Sequence, residues 1–348
     1  MQRSQVLVPL KALAVCFIGG AACQFLKTPL PWMIGPLLAM ATLKFSGLRL
    51  YAPKGGRELG QLVIGTALGL YFTPQVAQQV LGTWPVLIAA ALLATALGWI
   101  CGLFLSRYTG TDRTTAFFAS VPGGATEMAI LGERFGAKPD RIALAQSLRI
   151  MMVVVIIPFA LTYFNAHGSD IYARVLAPVN AVGLIQLLVM GLLGGALLAW
   201  LGLPNAFMLG PLAVTIALTV SEVQLSSMPT LFSNAGQLLI GCTLGARFEQ
   251  EFVKGAPRYL LVVALSVLLA IVLAALIGWL LARLGKLTIP TMVLATAPGG
   301  IAEMCITAKA LQLGVPLVTA AHVTRVLILV TTTAPLFRLA RRLSGRSA

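Results

Sequence analysis

Charge is scarce in this sequence. Only 10% of its 348 residues are Asp, Glu, Lys or Arg, where a soluble domain is nearer a quarter charged. Acidic residues are the scarcest, 10 against 25 basic. In a chain that is 58% hydrophobic, the basic excess does not describe a nucleic-acid surface. It marks cytoplasmic loops of a membrane protein. Histidine is limited to His167 and His322, which excludes a multi-His metal centre. Cys16, Cys23, Cys101, Cys242 and Cys305 all lie in or beside apolar segments, and no C-x-x-C pair occurs. They read as small buried hydrophobes, neither disulfides nor zinc ligands. No redox-metal or cofactor ligand set is visible, and the longest polar stretches, 44–58 and the tail after Phe337, are too short to fold alone. The expectation is no metal, no cofactor, no direct nucleic-acid contact and no enzymatic activity.

What the chain has instead is long apolar runs, and it has them twice. Six segments lie near 6–24, 31–46, 59–73, 83–105, 114–132 and 142–163. Six more lie near 182–201, 205–221, 233–247, 259–282, 289–308 and 317–337. Several are shorter than the ~20 residues of a straight span, so tilt, breaks or re-entrant segments are expected. Particular residues match at a nearly constant offset. Trp32-Met33-Ile34-Gly35-Pro36-Leu37 returns as Phe207-Met208-Leu209-Gly210-Pro211-Leu212, and Gly60-Gln61-Leu62-Val63-Ile64-Gly65 as Gly236-Gln237-Leu238-Leu239-Ile240-Gly241. Ile18-Gly19-Gly20-Ala21 returns as Leu193-Gly194-Gly195-Ala196. The first segment could imitate a signal peptide, but this recurrence makes it part of the fold. Gly65-x-x-x-Gly69 and Gly241-x-x-x-Gly245 are small-residue patterns that let helices approach closely. The halves are taken as 1–175 and 176–348.

Equivalent loops carry opposite charge. Lys44, Arg49, Lys54 and Arg57 follow the second segment, whereas the counterpart near 221–232 has no Lys or Arg. Residues 73–83 have none, whereas their counterpart carries Arg247, Lys254 and Arg258. Lys and Arg favour the cytoplasmic side, so the halves should be inverted. Inversion needs an odd number of crossings, and one of six segments must then fail to cross. The expected fold is all-α: two inverted-topology repeats, each of about five crossings plus a broken Pro-Gly-Gly segment. Both termini are then cytoplasmic.

The segment that should break is the motif repeated most faithfully. Ser120-Val121-Pro122-Gly123-Gly124-Ala125-Thr126-Glu127-Met128 is answered by Thr296-Ala297-Pro298-Gly299-Gly300-Ile301-Ala302-Glu303-Met304. Proline lacks an amide hydrogen and clashes with the preceding turn, and glycine holds a helix weakly. A helix restarting after the glycines places Glu127 and Glu303 in its first turn. Ionisable groups at membrane depth mark function by default. The alternative is a helix-start carboxylate satisfied by backbone amides and the local dipole. Arg149 and Arg325 follow the two glutamates at equal intervals. Ion pairs Glu127–Arg149 and Glu303–Arg325 are the favoured account, and an anion site of paired arginines is the other. Gln146 and His322 sit one turn before each arginine. His322 is read as a helix–helix hydrogen bonder ahead of a proton relay. The candidate binding set is Pro122, Gly123, Gly124, Thr126, Glu127, Arg149, Pro298, Gly299, Gly300, Glu303, His322 and Arg325.

The twofold repeat, the W/F-M-x-G-P-L motif and the duplicated P-G-G-x-x-E-M resemble the AbrB family of Gram-negative multi-pass inner-membrane proteins over nearly the whole chain. The small soluble DNA-binding AbrB shares only the name. The family carries the labels regulator of gene expression and ammonia monooxygenase. The resemblance implies an inner-membrane protein with a part in regulation, and it supplies no binding residues. Residues and resemblance together give a transporter-like protein that moves or senses a small solute or ion in the lipid bilayer. The alternative is a membrane regulator acting indirectly through a partner or metabolite. Self-association into a homo-oligomer is left open.

Overall fold

The computed structural model describes residues 2–48, 50–168, 178–248 and 257–343. Among these residues all regular structure is helical. Fifteen helices occur in order: α1 (Gln2–Phe25), α2 (Pro31–Phe45), α3 (Gly56–Gly69), α4 (Pro74–Gly82), α5 (Trp84–Thr109), α6 (Arg113–Ser120), α7 (Ala125–Arg134), α8 (Pro139–Tyr163), α9 (Ala181–Trp200), α10 (Ala206–Val220), α11 (Thr230–Gly245), α12 (Pro257–Gly285), α13 (Ile289–Thr296), α14 (Ile301–Ala310) and α15 (Val315–Leu343). Six are long and apolar enough to cross a membrane: α1, α5, α8, α9, α12 and α15. Helices α2, α3, α10 and α11 have only 14 to 16 residues, shorter than a straight span.

The helices sort into two bundles, and each draws on both halves of the chain. In the first, α2 packs on α1 and α11, α10 on α9 and α3, and α3 crosses α11. In the second, α5 packs on α12, and the shorter helices α6, α7, α13 and α14 are held against α5, α8, α12 and α15. Contacts between the bundles are sparser and involve α3 with α14, and α4 with α15.

Glycines set the first bundle's spacing. Gly19 lies on the backbone of Gly35, and Gly194 on that of Gly210. Gly65 faces the carbonyl of Met208 in α10, and Gly241 faces the carbonyl of Met33 in α2. At the α3–α11 crossing Gly60 and Gly236 meet. The recurring glycine motifs are therefore contact surfaces, made where one backbone lies on another. A side chain at Gly241 would strike a carbonyl that cannot swing aside. Gly241→Val should cost about 3 kcal/mol, at the top of the overpacking range, read as a lowered thermal midpoint.

The expected breaks are present. Helix α6 stops at Ser120 and α7 starts at Ala125; α13 stops at Thr296 and α14 starts at Ile301. Neither break continues in a line. Phe118 of α6 stacks on Phe135 beyond α7, with ring centroids 5.8 Å apart. The Lys138 amide donates to Thr115 Oγ1 at 2.9 Å, so the hairpin's two ends lie side by side. In the second half the Gly314 amide donates to Thr291 Oγ1 at 3.2 Å.

Two boundaries depart from expectation. The stretch 73–83, taken as a loop, contains α4. Thr73 caps it by accepting from the Val76 amide, with Pro74 at its first position, which is where proline fits a helix best. The stretch after Phe337 continues α15 to Leu343. Arg49 and Lys254 lie outside the described residues.

Candidate functional site

The site is built from the two hairpin tips. Each tip exposes carbonyls that the broken helix no longer uses. Arg149, from α8, donates to the carbonyls of Val121 and Gly123, both at 3.1 Å. Arg325, from α15, donates to the carbonyl of Ala297 at 2.6 Å and to that of Gly299. One turn earlier, Gln146 Nε2 donates to the carbonyls of Phe118 and Val121, both at 2.8 Å. His322 Nε2 lies 3.1 Å from the Leu294 carbonyl. An imidazole nitrogen facing a carbonyl must carry the proton. His322 is thus a helix–helix donor, as favoured above.

The expected ion pairs do not form. Neither Glu127 with Arg149 nor Glu303 with Arg325 is joined by a hydrogen bond among the described residues. The arginines are 4% and 3% exposed, and a buried guanidinium must satisfy several N–H groups at once. The forked geometry suits two carbonyls of one break, and those carbonyls need donors equally. Arg149 lies in the field of Arg325 and of Glu303, the other half's glutamate, and Arg325 lies in the field of Glu303 as well.

The glutamates are placed by the glycines. Each is the third residue of its helix, after a glycine cap. A β-carbon at Gly124 would overlap Glu127 Oε2, and one at Gly300 would overlap Glu303 Oε2. The carboxylate thus folds back over the start of its own helix, where the dipole favours negative charge. Met128 packs over Gly123 and Met304 over Gly299 in the same way. This accounts for the whole P-G-G-x-x-E-M spacing: proline ends one helix, and two glycines make room for the next two side chains.

Both tips line one water-sized cavity of about 20 Å³. Its walls include Ser120, Pro122, Arg149, Thr296 and Pro298, closed by Cys101 of α5. Unfilled polar capacity concentrates around the breaks. Of seven buried side-chain atoms without a hydrogen-bond partner among the described residues, five are Glu127 Oε2, Gln146 Oε1, Arg149 Nε, His322 Nδ1 and Arg325 Nε. Thr126 is exposed and stands outside this buried set. Among the described residues no group of three or more His, Cys, Asp or Glu could hold a metal ion.

One residue of this neighbourhood was missed. Arg247, just past α11, figures in the sequence only as one of the three basic residues of its loop, with Lys254 and Arg258. It lies in the electrostatic field of Arg57, Glu303 and Glu127. The available signal was an asymmetry: the position equivalent to Arg247 in the first half is Tyr71.

The family described as transition state regulatory protein AbrB matches residues 32–341. The chain is 25% identical to the uncharacterized protein YhjN of Bacillus subtilis (strain 168), over 96% of this chain and 93% of that protein. It is 24% identical to the protein named "Putative regulator AbrB" of Escherichia coli (strain K12), over 86% of this chain and 88% of that protein. With its long apolar helices and a family match over most of its length, this chain is a membrane-type helical protein that belongs to the AbrB family.

Proposed function

We propose that this protein is a membrane carrier, or a sensor built on a carrier's frame, holding a small solute or ion at its two helix breaks. The observation that carries this is the pair of hairpins whose Pro-Gly-Gly tips line one cavity together with Arg149, with buried polar atoms of Glu127, Gln146, His322 and Arg325 left without hydrogen-bond partners around the breaks. Broken segments in corresponding positions of two halves are the usual pointer to a transport site. We read the halves as inverted repeats, each with about five crossings and one re-entrant hairpin. The side-by-side hairpin ends support this, because such a hairpin returns the chain to the face it came from and leaves an odd number of crossings. Irregular backbone at membrane depth must be shielded by protein or line a cavity, and these tips are enclosed. The exposed apolar faces of α1 and α9 are read as lipid-facing.

The reading places the protein in the bacterial inner membrane, with both termini and the loop 44–58 cytoplasmic and the stretch 221–229 outside. In a cysteine-free background, Val223→Cys should react with an impermeant maleimide on intact cells. Lys54→Cys should react only after permeabilisation. Labelling of both from the same side would remove the inverted arrangement.

Within this proposal the protein is not an enzyme and does not touch nucleic acid. A second reading, a membrane regulator acting through a partner or metabolite, draws on the printed name of the Escherichia coli relative. A thermal-shift screen of metabolites on purified protein, compared with Glu127→Gln, tests both. A solute that stabilises only the wild type and moves across proteoliposomes identifies a carrier. Stabilisation without flux identifies a sensor. A copurifying metal or cofactor would count against both.

A further inference from the structure

A second cavity lies apart from the hairpin tips. It is a groove of about 510 Å³, several times the ~150 Å³ of an apolar cavity that already binds benzene. Leu198 and Leu212 of α9 and α10 line it from the first bundle, and Leu87 and Val323 of α5 and α15 from the second. Leu81, Trp84 and Leu327 of its lining are exposed, so the groove opens on the outside of the molecule. Its mouth lies beside α5 and α15, two of the helices long and apolar enough to cross a membrane. Among the described residues that line it none is charged. The Thr319 hydroxyl is already engaged: it donates to the Val315 carbonyl at 2.8 Å and lies 3.2 Å from Cys305 Sγ of α14.

Small residues on α15 leave this space open. At the offset that takes Arg149 to Arg325, Ala320 and Thr324 answer Leu144 and Leu148. The two leucines pack against the core, whereas Ala320 and Thr324 stand at the groove. Water gains little from such a lining, because a buried water needs ~2–4 polar partners. A helix of a second copy fits poorly too. Helices of the first bundle meet through glycines, since small residues let backbones approach. The groove is walled chiefly by Leu, Ile, Phe and Trp, without a glycine. A flexible methylene chain asks for no hydrogen bond and conforms to walls of that kind.

We propose that this groove holds one acyl chain of a bilayer lipid, and that the chain serves as packing between the two bundles. The inference needs only the membrane class of the protein, because the bilayer supplies such chains at the groove's mouth. The groove is separate from the helix breaks but reaches them through α15. That helix lines the groove with Thr319, Val323 and Leu327, and holds the second hairpin with His322 and Arg325. A chain in the groove braces α15 against α10, across an interface whose direct contacts are sparse. A chain that fits one relative position of the bundles better than another shifts the balance between them.

The test uses the full chain in digitonin, a rigid sterol detergent without an alkyl chain. Palmitoyl lysophosphatidylcholine at submicellar concentration is the probe. Glycerophosphocholine is the same headgroup without the chain. The lysolipid should raise the wild-type thermal midpoint and glycerophosphocholine should not. Native mass spectrometry should count one tightly held lysolipid per wild-type chain. Ala320→Leu combined with Thr324→Leu gives α15 the residues that α8 carries. Without lysolipid, the double variant's midpoint should equal or exceed the wild-type value, because the groove is filled from within. It should need at least about tenfold more lysolipid for the same shift, the scale of added methylenes in an apolar pocket. Ala320→Val should act in the same direction and serves if the double variant does not fold. A double variant that responds like the wild type would overturn the proposal, since the chain then sits elsewhere. A response to glycerophosphocholine would overturn it too. So would wild-type dimers that the double variant dissociates, seen by light scattering, since that assigns the groove to a second copy.

Discussion

Arg149→Gln should destabilise this protein by about 3–5 kcal/mol, the range for removing a buried charged hydrogen-bonding partner. The loss comes from the Val121 and Gly123 carbonyls, which receive the guanidinium at 3.1 Å each. Gln146 still serves Val121, but the Gly123 carbonyl is left without its donor. Arg149→Lys should recover only part of the loss, since an ammonium is a point charge and lacks the fork that spans two carbonyls. The second mutation decides the chemistry. Were Arg149 paired with Glu127, removing both would restore much of the lost stability. Because the arginine rests on backbone instead, Glu127→Gln should leave the cost of Arg149→Gln unchanged. The coupling should stay below about 0.5 kcal/mol, the limit for independent sites. A denaturant or thermal double-mutant cycle measures it, and a rescue of several kcal/mol would reinstate the ion pair.

Gly300→Ala should fold and lose solute response by about a hundredfold, the scale of an ångström-sized misplacement at a reacting or binding group. The backbone at Gly300, φ −80° and ψ 161°, is one that any residue adopts. At Gly124 it is φ −68° and ψ 139°. Glycine is required there for space alone, because its missing β-carbon is where the carboxylate lies. Alanine forces the carboxylate outward and leaves the helix intact. Gly124→Ala should act in the same way on Glu127. Each alanine variant should match the corresponding Glu→Gln variant in ligand-dependent thermal shift, while its unliganded midpoint stays near wild type. Undiminished response in Gly300→Ala would show that the folded-back carboxylate is not the functional one.

Much of the site could be read locally. Pro122 and Pro298 break a helix wherever they sit, because the missing amide and the ring clash act within one turn. The glutamate three residues past the second glycine falls in the first turn by counting. The glycine motifs announced close helix contacts, although which helices they join was not legible. Gly241 could have faced any neighbour, and Met33 lies more than half the chain away. Helix α4 was missed because a nine-residue amphipathic helix lacks the apolar length by which the other helices were recognised. Its Thr73-Pro74 start was the overlooked sign.

The sequence by itself determined the membrane class, the twice-repeated segments, the position of both breaks and the burial of charge beside them. These follow from composition and from backbone chemistry that acts over a few residues. The tertiary structure decided the partners. Arg149 and Arg325 chose carbonyls over carboxylates, and the broken segments folded back on themselves. A buried guanidinium takes whatever acceptors its fork can reach, and that reach depends on how the helices pack around it.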